Sequence, residues 1–183
     1  PIYRPNATTT TRSSGQTMTF RLAVLLALLT CAVYTPALQT DFVAGDRQFI
    51  LNNERAADVP TALRSFIADY WGTLGGESFV YYRPLTVLTH CIDSNLWGEN
   101  PVGHHLTNIV LHELVTLLAF AFFLRLLPQR RLLCFAAALL FGLHPIHTHS
   151  VLYVVGRTDV LATLFCLLSL IVLCRRHCTF VPG

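Results

Sequence analysis

The hydrophobic residues of this chain are concentrated in four blocks, which polar stretches separate. The first two blocks run from Phe20 to Leu38 and from Leu106 to Leu127, and two shorter ones run from Leu132 to Ile146 and from Val160 to Cys174. A bilayer core about 30 Å thick needs roughly 20 apolar helical residues, which the first two blocks provide. Shorter apolar runs also fit a buried helix or a re-entrant segment. The pattern predicts an all-α integral membrane protein with about four transmembrane helices.

The blocks and the stretches between them divide the chain into segments. In chain order we predict a disordered cytosolic tail (1–19), transmembrane helix 1 (20–38), a long luminal loop (39–103), transmembrane helices 2 (104–127), 3 (132–148) and 4 (151–174), and a cytosolic end (175–183). We interpret helix 1 as an uncleaved signal anchor, because Tyr34, Thr35 and Pro36 make a poor small-residue cleavage site. Met18, directly before the first block, is the expected start of the natural protein.

Composition and charge placement support this topology. Hydrophobic residues make up 53% of the chain and charged residues 13%, whereas a soluble domain is typically about 25% charged. Eight of the ten acidic residues lie between Asp41 and Gly103. Arginines cluster before block one, between blocks two and three, and after block four, at Arg12, Arg21, Arg130, Arg131, Arg175 and Arg176. Because cytosolic segments carry an excess of basic residues, these clusters are predicted to be cytosolic and the long loop exoplasmic.

Two short amphipathic helices are predicted in the long loop. The first has Asp58 as its cap, Pro60 at its start and Gly72 after its end, with a stripe formed by Leu63, Phe66, Ile67 and Tyr70. The second follows Pro84, with a stripe formed by Leu85, Leu88, Ile92 and Leu96. Such stripes pack either on the membrane surface or on protein, and the sequence leaves both alternatives open.

Polar residues near the apolar blocks are predicted to converge on the exoplasmic face. His105, Asn108 and His112 share one helical face, with Glu113 beside them. The turns around blocks three and four add His144, His147, His149, Arg157 and Asp159. Ionisable groups at such positions cost free energy and usually face a cavity or a partner.

Three interpretations of these polar residues compete. His144, His147 and His149 are close enough in sequence to share a metal ion. Alternatively, the histidines and an Arg157–Asp159 pair satisfy each other at a helix end. The third interpretation is a site for an anionic lipid headgroup, because the planar guanidinium donates several hydrogen bonds to phosphate. Arg83 and Arg157 are the candidates for that contact.

Four segments in this region resemble one known family. They are Tyr82–Thr89 (YRPLTVLT), His105–His112 (HLTNIVLH), Leu143–Thr148 (LHPIHT) and Val154–Ala162 (VVGRTDVLA). Their order and approximate spacing resemble the amino-terminal membrane part of the transmembrane and tetratricopeptide-repeat-containing O-mannosyltransferases. The resemblance extends from about residue 36 to residue 170.

The resemblance implies a partial glycosyltransferase fold of the C superfamily, in a multi-pass protein of the endoplasmic reticulum membrane. Such enzymes transfer mannose from dolichyl phosphate mannose, which is a substrate and not a cofactor, to Ser or Thr of a luminal acceptor protein. Family members carry further membrane helices and luminal tetratricopeptide repeats. We therefore expect membrane lipid, the dolichol-linked sugar, an acceptor protein and further helices or a partner chain as partners. No cofactor and no nucleic acid is expected.

The resemblance also implies site residues. The family has an aspartate pair shortly after Phe-Val, and here Asp46 matches the second aspartate while Gly45 replaces the first. Asp46 is thus the predicted catalytic base, with Asp41 as a possible substitute and loop capping as the alternative role. A carboxylate base would activate the acceptor hydroxyl. Arg83 and Arg157 are predicted to contact the lipid phosphate, and His105, His144, His147 and Asp159 to line the substrate site, with no metal. His149 stands where the family favours glutamate.

Two other functions remain open. A diverged or truncated copy would be a non-catalytic membrane anchor or scaffold, which Gly45, His149 and the short chain favour. A transporter is a more distant alternative, because the chain shows no paired half-repeats of the kind that transporters often carry.

Overall fold

The computed structural model describes residues 7–43, 45–50, 58–67 and 82–178, and these residues form helices and turns without a strand. Three long helices dominate: α1 (Ala7–Tyr34), α5 (Pro101–Leu126) and α8 (Arg157–Cys178). The shorter ones are α2 (Asp46–Ile50), α3 (Val59–Arg64), α4 (Pro84–Trp97), α6 (Arg131–Gly142) and α7 (Thr148–Leu152), with 3₁₀ turns at Thr35–Gln39, Pro145–His147 and Val154–Gly156. The predicted all-α class is confirmed.

Three segments in the described residues are long and apolar enough to cross a bilayer: Gly15–Gln39, Pro101–Leu126 and Val154–Cys174. A fourth span is possible if Arg131–Gly142 and Pro145–Leu152, which meet at a bend of 42°, cross together. The prediction of an integral membrane protein with about four spans is therefore confirmed as three to four.

The helix limits differ from the predicted segments at three places. α1 begins at Ala7, so residues 7–19, expected to be disordered, are helical. A Cβ atom on Gly15 would lie 2.7 Å from the Arg131 guanidinium, so α1 packs closely on the start of α6 here. Predicted helix 3 breaks after Gly142, because Pro145 lacks an N–H and disfavours helical geometry at the residue before it. Predicted helix 4 begins only at Arg157.

Helix α5 is at the centre of the bundle and contacts α1, α4, α6, α7 and α8. A buried cluster of Leu26, Phe120, Cys134 and Ala138 joins α1, α5 and α6. A second cluster of Tyr34, Ala37, Ile109 and Val151 lies where α1 ends and α7 passes. We call this end of the bundle, where α1 and α6 end and α5 and α8 begin, the loop-side end.

Helix α3 begins as predicted. The Asp58 side chain caps it by accepting a hydrogen bond of 2.7 Å from the Thr61 N–H, and Pro60 occupies its first turn. The helix ends at Arg64, and the predicted positions Tyr70 and Gly72 lie outside the described residues. Ala62 is buried, whereas Ile67, in the predicted stripe, is 87% exposed.

Helix α4 buries its polar side. Three residues of its predicted apolar stripe, Leu85, Ile92 and Leu96, are exposed. The fourth, Leu88, is partly buried against Ala62 of α3 and its neighbours. The opposite side is buried and carries Thr86, Val87, His90, Cys91 and Asp93. In water this orientation would be unfavourable, so it favours the interpretation that the stripe contacts lipid.

Candidate functional site

Asp46 connects the beginning of the long loop to the turn that precedes α8. Its carboxylate is fully buried and accepts hydrogen bonds from the backbone N–H groups of Val43 at 3.0 Å, Val154 at 3.3 Å and Val155 at 3.1 Å. Ile50 packs with Val154 and Val155 in a small apolar cluster. The hydrogen bonds of the Asp46 carboxylate match the loop-capping role, and the catalytic role of Asp46 stays a prediction.

Gly45, which stands where the family has its first aspartate, lies beside Phe49. A Cβ atom on Gly45 would be 2.7 Å from the Phe49 ring, so a larger residue there would have to displace that ring. Asp41, the other candidate base, is exposed and accepts two hydrogen bonds of 3.1 Å from Arg47. The Phe42 N–H and the Arg47 side chain lower the pKa of Asp41, so its carboxylate is ionised at neutral pH.

Arg157 lies inside the protein, at the first residue of α8. Its side chain is fully buried and donates from Nε to Asn108 Oδ1 at 2.7 Å and from Nη2 to the Asp93 carboxylate. Nη2 also lies 3.3 Å from the carbonyl of His104. The remaining nitrogen, Nη1, has no hydrogen-bond partner among the described residues. The alternative of an Arg157–Asp159 pair is wrong, because the carboxylate that pairs with Arg157 is Asp93.

Asp93 belongs to the candidate site, although no sequence pattern predicts it there. It lies on the buried side of α4, accepts a 2.9 Å hydrogen bond from Thr107 Oγ1 and lies 3.8 Å from His104 Nδ1. A buried carboxylate and a buried guanidinium are tolerated when they pair and are hydrogen-bonded. No short motif marks Asp93, since its partner is 64 residues away in the chain. We call Asp93, His104, Asn108 and Arg157 the buried polar network.

His90 borders this network. Its ring is 1% exposed, and neither ring nitrogen has a hydrogen-bond partner in the described part of the chain. Burial lowers the pKa of His90 well below its ordinary value, and the charge of Arg157 lowers it further. The imidazole is therefore neutral at physiological pH. One helical turn earlier, Thr86 Oγ1 lies 3.3 Å from Thr158 Oγ1, a second contact between α4 and α8.

The predicted polar face of α5 is buried at the loop-side end. His105 Nε2 lies 3.2 Å from Thr40 Oγ1, and His112 Nε2 lies 3.0 Å from the Gly142 carbonyl. The Asn108 amide reaches the carbonyls of Val151 and Val154 at 3.4 Å. These side chains hold the ends of α1, α6 and α7 against α5.

The three histidines of the turn after α6 point to different neighbours. His144 is exposed, and its Nδ1 accepts from the Ile146 N–H at 3.2 Å. His147 is half-buried against Phe141, with ring centroids 4.6 Å apart, whereas exposed His149 lies beside Tyr153. Within the described ranges, no group of three or more His, Cys, Asp or Glu side chains is arranged to hold a metal ion.

Arg83 and Asp159 complete the predicted set. Arg83 is partly buried and directly precedes α4. Burial raises the pKa of the Tyr153 hydroxyl; the charge of Asp46 raises it further and the charge of Arg83 lowers it, so both charges lie near enough to act on this side chain. Asp159 is exposed in the first turn of α8. The structure thus gathers the predicted residues at the loop-side end, with Arg157 and Asp46 beneath the surface and Arg83 and Asp159 nearer to it.

The chain is similar to three curated proteins over most of its length. Human protein O-mannosyl-transferase TMTC1 is 42% identical over 150 residues, covering 80% of this chain and 17% of the relative. Human protein O-mannosyl-transferase TMTC2 is 40% identical over 151 residues, covering 81% of the chain and 18% of the relative. Protein O-mannosyl-transferase F38B6.6 of Caenorhabditis elegans is 30% identical over 177 residues, covering 93% of this chain and 26% of the relative. The chain spans at most 26% of the length of these three relatives.

No family model matches the chain, and no solved structure matches it. The resemblance carried by the four segments is nevertheless confirmed by the curated relatives, which align with about four fifths of the chain or more. The chain therefore belongs to the family of transmembrane and tetratricopeptide-repeat-containing proteins, whose curated members are named protein O-mannosyl-transferases.

Proposed function

We propose that the chain is a membrane section of an enzyme that transfers mannose from dolichyl phosphate mannose to Ser or Thr of proteins in the lumen of the endoplasmic reticulum. One observation carries the proposal: residues of the family-like segments contact one another at a single end of the bundle. Arg157 bonds Asn108, and the turn that precedes Arg157 bonds Asp46. The names of the curated relatives support the reaction class.

Arg83 is the better candidate for the phosphate contact. Arg157 is fully buried and already bonded to Asp93 and Asn108, so a lipid phosphate would have to displace those partners. Arg83 lies nearer the surface, at the start of the helix whose apolar stripe is mostly exposed. A guanidinium there would stabilise the charge that develops on the departing phosphate. Arg157 would then act as a positioning residue for the turn between α7 and α8.

Asp46 would serve as the base only after a local change. Its carboxylate is fully buried and accepts three backbone hydrogen bonds, so the surrounding turn must open before an acceptor hydroxyl reaches it. Asp41 is accessible but paired with Arg47. Both remain candidates, and comparing their conservative variants separates them.

The test is transfer of labelled mannose from dolichyl phosphate mannose to protein by the full-length protein in nanodiscs. We expect Asp46→Asn and Arg83→Gln to reduce the rate by at least tenfold, because acid–base and electrostatic contributions are typically about 100-fold or more. Arg64→Gln, an exposed change in α3, is the matched control and should retain the rate. Full activity in both site variants would exclude these roles.

A non-catalytic membrane module is the second candidate, favoured by Gly45 and by the burial of Asp46 against three backbone N–H groups. Gly45→Asp tests it directly. If the Phe49 ring moves aside and the remaining machinery is competent, restoring the first aspartate of the pair should raise mannose transfer above that of the natural protein. A folded Gly45→Asp protein without transfer activity would favour the anchor or scaffold function.

Further helices or a partner chain would complete the bundle. Glu113 Oε1 is buried without a hydrogen-bond partner among the described residues, although Oε2 lies 3.6 Å from the Cys31 sulfur. An ionisable group at this depth of a spanning helix usually pairs within the protein. Crosslinking from a cysteine placed at Leu114, an exposed neighbour, would identify the partner helix in the full-length protein.

A further inference from the structure

A small cavity lies at the loop-side end, between α5, α6, α7 and α8. Its volume is about 120 Å³, and its lining is mostly apolar with a few hydrogen-bonding groups: His112, Val115, Phe141, His147, Ser150, Asp159, Val160 and Thr163. A single water needs at least about 10–15 Å³, and its share of liquid volume is about 30 Å³, so the space suits a few waters or one small molecule. The buried polar network does not line it.

One wall of the cavity is built from rings. The centroid of His147 lies 4.6 Å from that of Phe141 and 5.2 Å from that of His112. His112 is fixed in orientation, because its Nε2 lies 3.0 Å from the Gly142 carbonyl. The negative face of such rings favours the weakly positive C–H groups of a saturated ring over a second anion.

The other wall supplies hydrogen-bonding groups. Asp159 is exposed, and within the described part of the chain its carboxylate has no hydrogen-bond or ion-pair partner. A carboxylate accepts hydrogen bonds from two neighbouring hydroxyls, and the Ser150 hydroxyl both donates and accepts. No arginine lines the cavity, and the Asp159 charge would repel a phosphate. A polyhydroxylated ring therefore fits this chemistry better than an anion.

We infer that this cavity binds the transferred sugar ring of the lipid-linked donor. This inference rests on the proposed function and deepens it. The pyranose ring packs its C–H face on Phe141 and His147, and vicinal hydroxyls donate to Asp159. The phosphate and the polyprenyl chain remain outside the cavity.

The test compares two lipids on the full-length protein in nanodiscs: dolichyl phosphate mannose and sugar-free dolichyl phosphate. Asp159→Asn and Ser150→Ala should weaken binding of the sugar-bearing lipid by about tenfold and a few-fold, respectively, because a charged hydrogen bond contributes more than a neutral one. Binding of the sugar-free lipid should not change. His147→Ala, which removes the ring face, should also weaken binding of the sugar-bearing lipid selectively, whereas His149→Ala, two residues along, should not.

Two kinds of failure are distinguishable. If the natural protein prefers the sugar-bearing lipid but the variants do not change that preference, or weaken both lipids equally, the cavity is not the sugar site. If the natural protein binds neither lipid, the proposed function is wrong and the inference falls with it. Unfolding temperatures of the variants within about 2 °C of the natural protein's show that altered binding is not a folding defect.

Discussion

Removing the Asp93 carboxylate should strongly destabilise the protein. Asp93 and Arg157 are 3% and 0% exposed, and the guanidinium already uses Nε on Asn108. Asp93→Ala leaves a buried positive charge without its counterion, and it leaves the Thr107 hydroxyl to donate to the Gly103 carbonyl instead. Breaking a buried pair in this way typically costs about 3–5 kcal/mol. Asp93→Asn keeps an acceptor for Thr107, so its cost should be smaller.

The assay is thermal unfolding of the full-length protein in nanodiscs. For soluble domains of about 150–250 residues, the size of this chain, 1 kcal/mol shifts the unfolding temperature by about 2–4 °C. On that scale Asp93→Ala should lower the unfolding temperature of this membrane section by roughly 6–20 °C. Asp159→Asn is the matched control for Asp93→Asn, because Asp159 is exposed and unpaired within the described residues. Its effect should stay within about 0.5 kcal/mol.

A double-mutant cycle measures the interaction energy between Asp93 and Arg157. Arg157→Met removes the buried charge, so combining it with Asp93→Ala should cost less than the sum of the two single changes, with a coupling of about 1–3 kcal/mol. Additive effects, or a loss below 1 kcal/mol in Asp93→Ala, would refute the buried pairing. Arg157 would then be available to other partners, and the prediction that it contacts the lipid phosphate would again be favoured.

Two further predictions concern α4 and its end. Because folding lowers the pKa of His90, the unfolded chain binds a proton below about pH 6.5 that the folded protein does not. The contribution of neutral His90 to the free energy of unfolding is present above pH 6.5 and is lost as the pH falls, by up to about 1.4 kcal/mol per pH unit. The stability of His90→Phe should therefore fall less steeply with acid, and an unchanged pH profile would contradict the burial of a neutral His90. Gly103→Ala should cost about 1–3 kcal/mol in thermal unfolding, because its Cβ would lie 2.2 Å from the Trp97 ring. Gly98→Ala, with open space but a φ of 58°, should cost about 1–3 kcal/mol through backbone strain alone. A loss below about 0.5 kcal/mol in Gly103→Ala would refute the packing argument.

The sequence predicted the long helices well because their signal is local. Apolar runs of sufficient length define α1 and α5, and Asp58 with Pro60 marks the start of α3. The break after α6 was underestimated, since a continuous apolar run extends across Gly142 while Pro145 redirects the backbone. Hydrophobicity measures the tendency to leave water, but it does not report where a helix bends.

The candidate site was predicted only in outline. His105 and Asn108 share a helical period with His112, so their common burial follows from spacing. The pairing of Arg157 with Asp93 joins α8 to α4, and no local pattern distinguishes Asp93 from the other loop carboxylates. Asp159, two residues from Arg157, is the partner that proximity in sequence suggests, but successive residues on a helix point in different directions.

The burial pattern of this bundle follows from its apolar surroundings. Lipid is as apolar as leucine, so contact between leucines on different helices gives little net gain, and hydrogen bonds between helices become more important. Leu140 is 71% exposed and Leu96 is 67% exposed, whereas Arg157 and Asn108 are fully buried. Arg157 bonds Asp93 of α4 and also Asn108, and Asn108 in turn reaches the Val154 carbonyl in the turn where Asp46 binds. Stability and site geometry therefore depend on one set of residues, and a change at Asp93 should affect both.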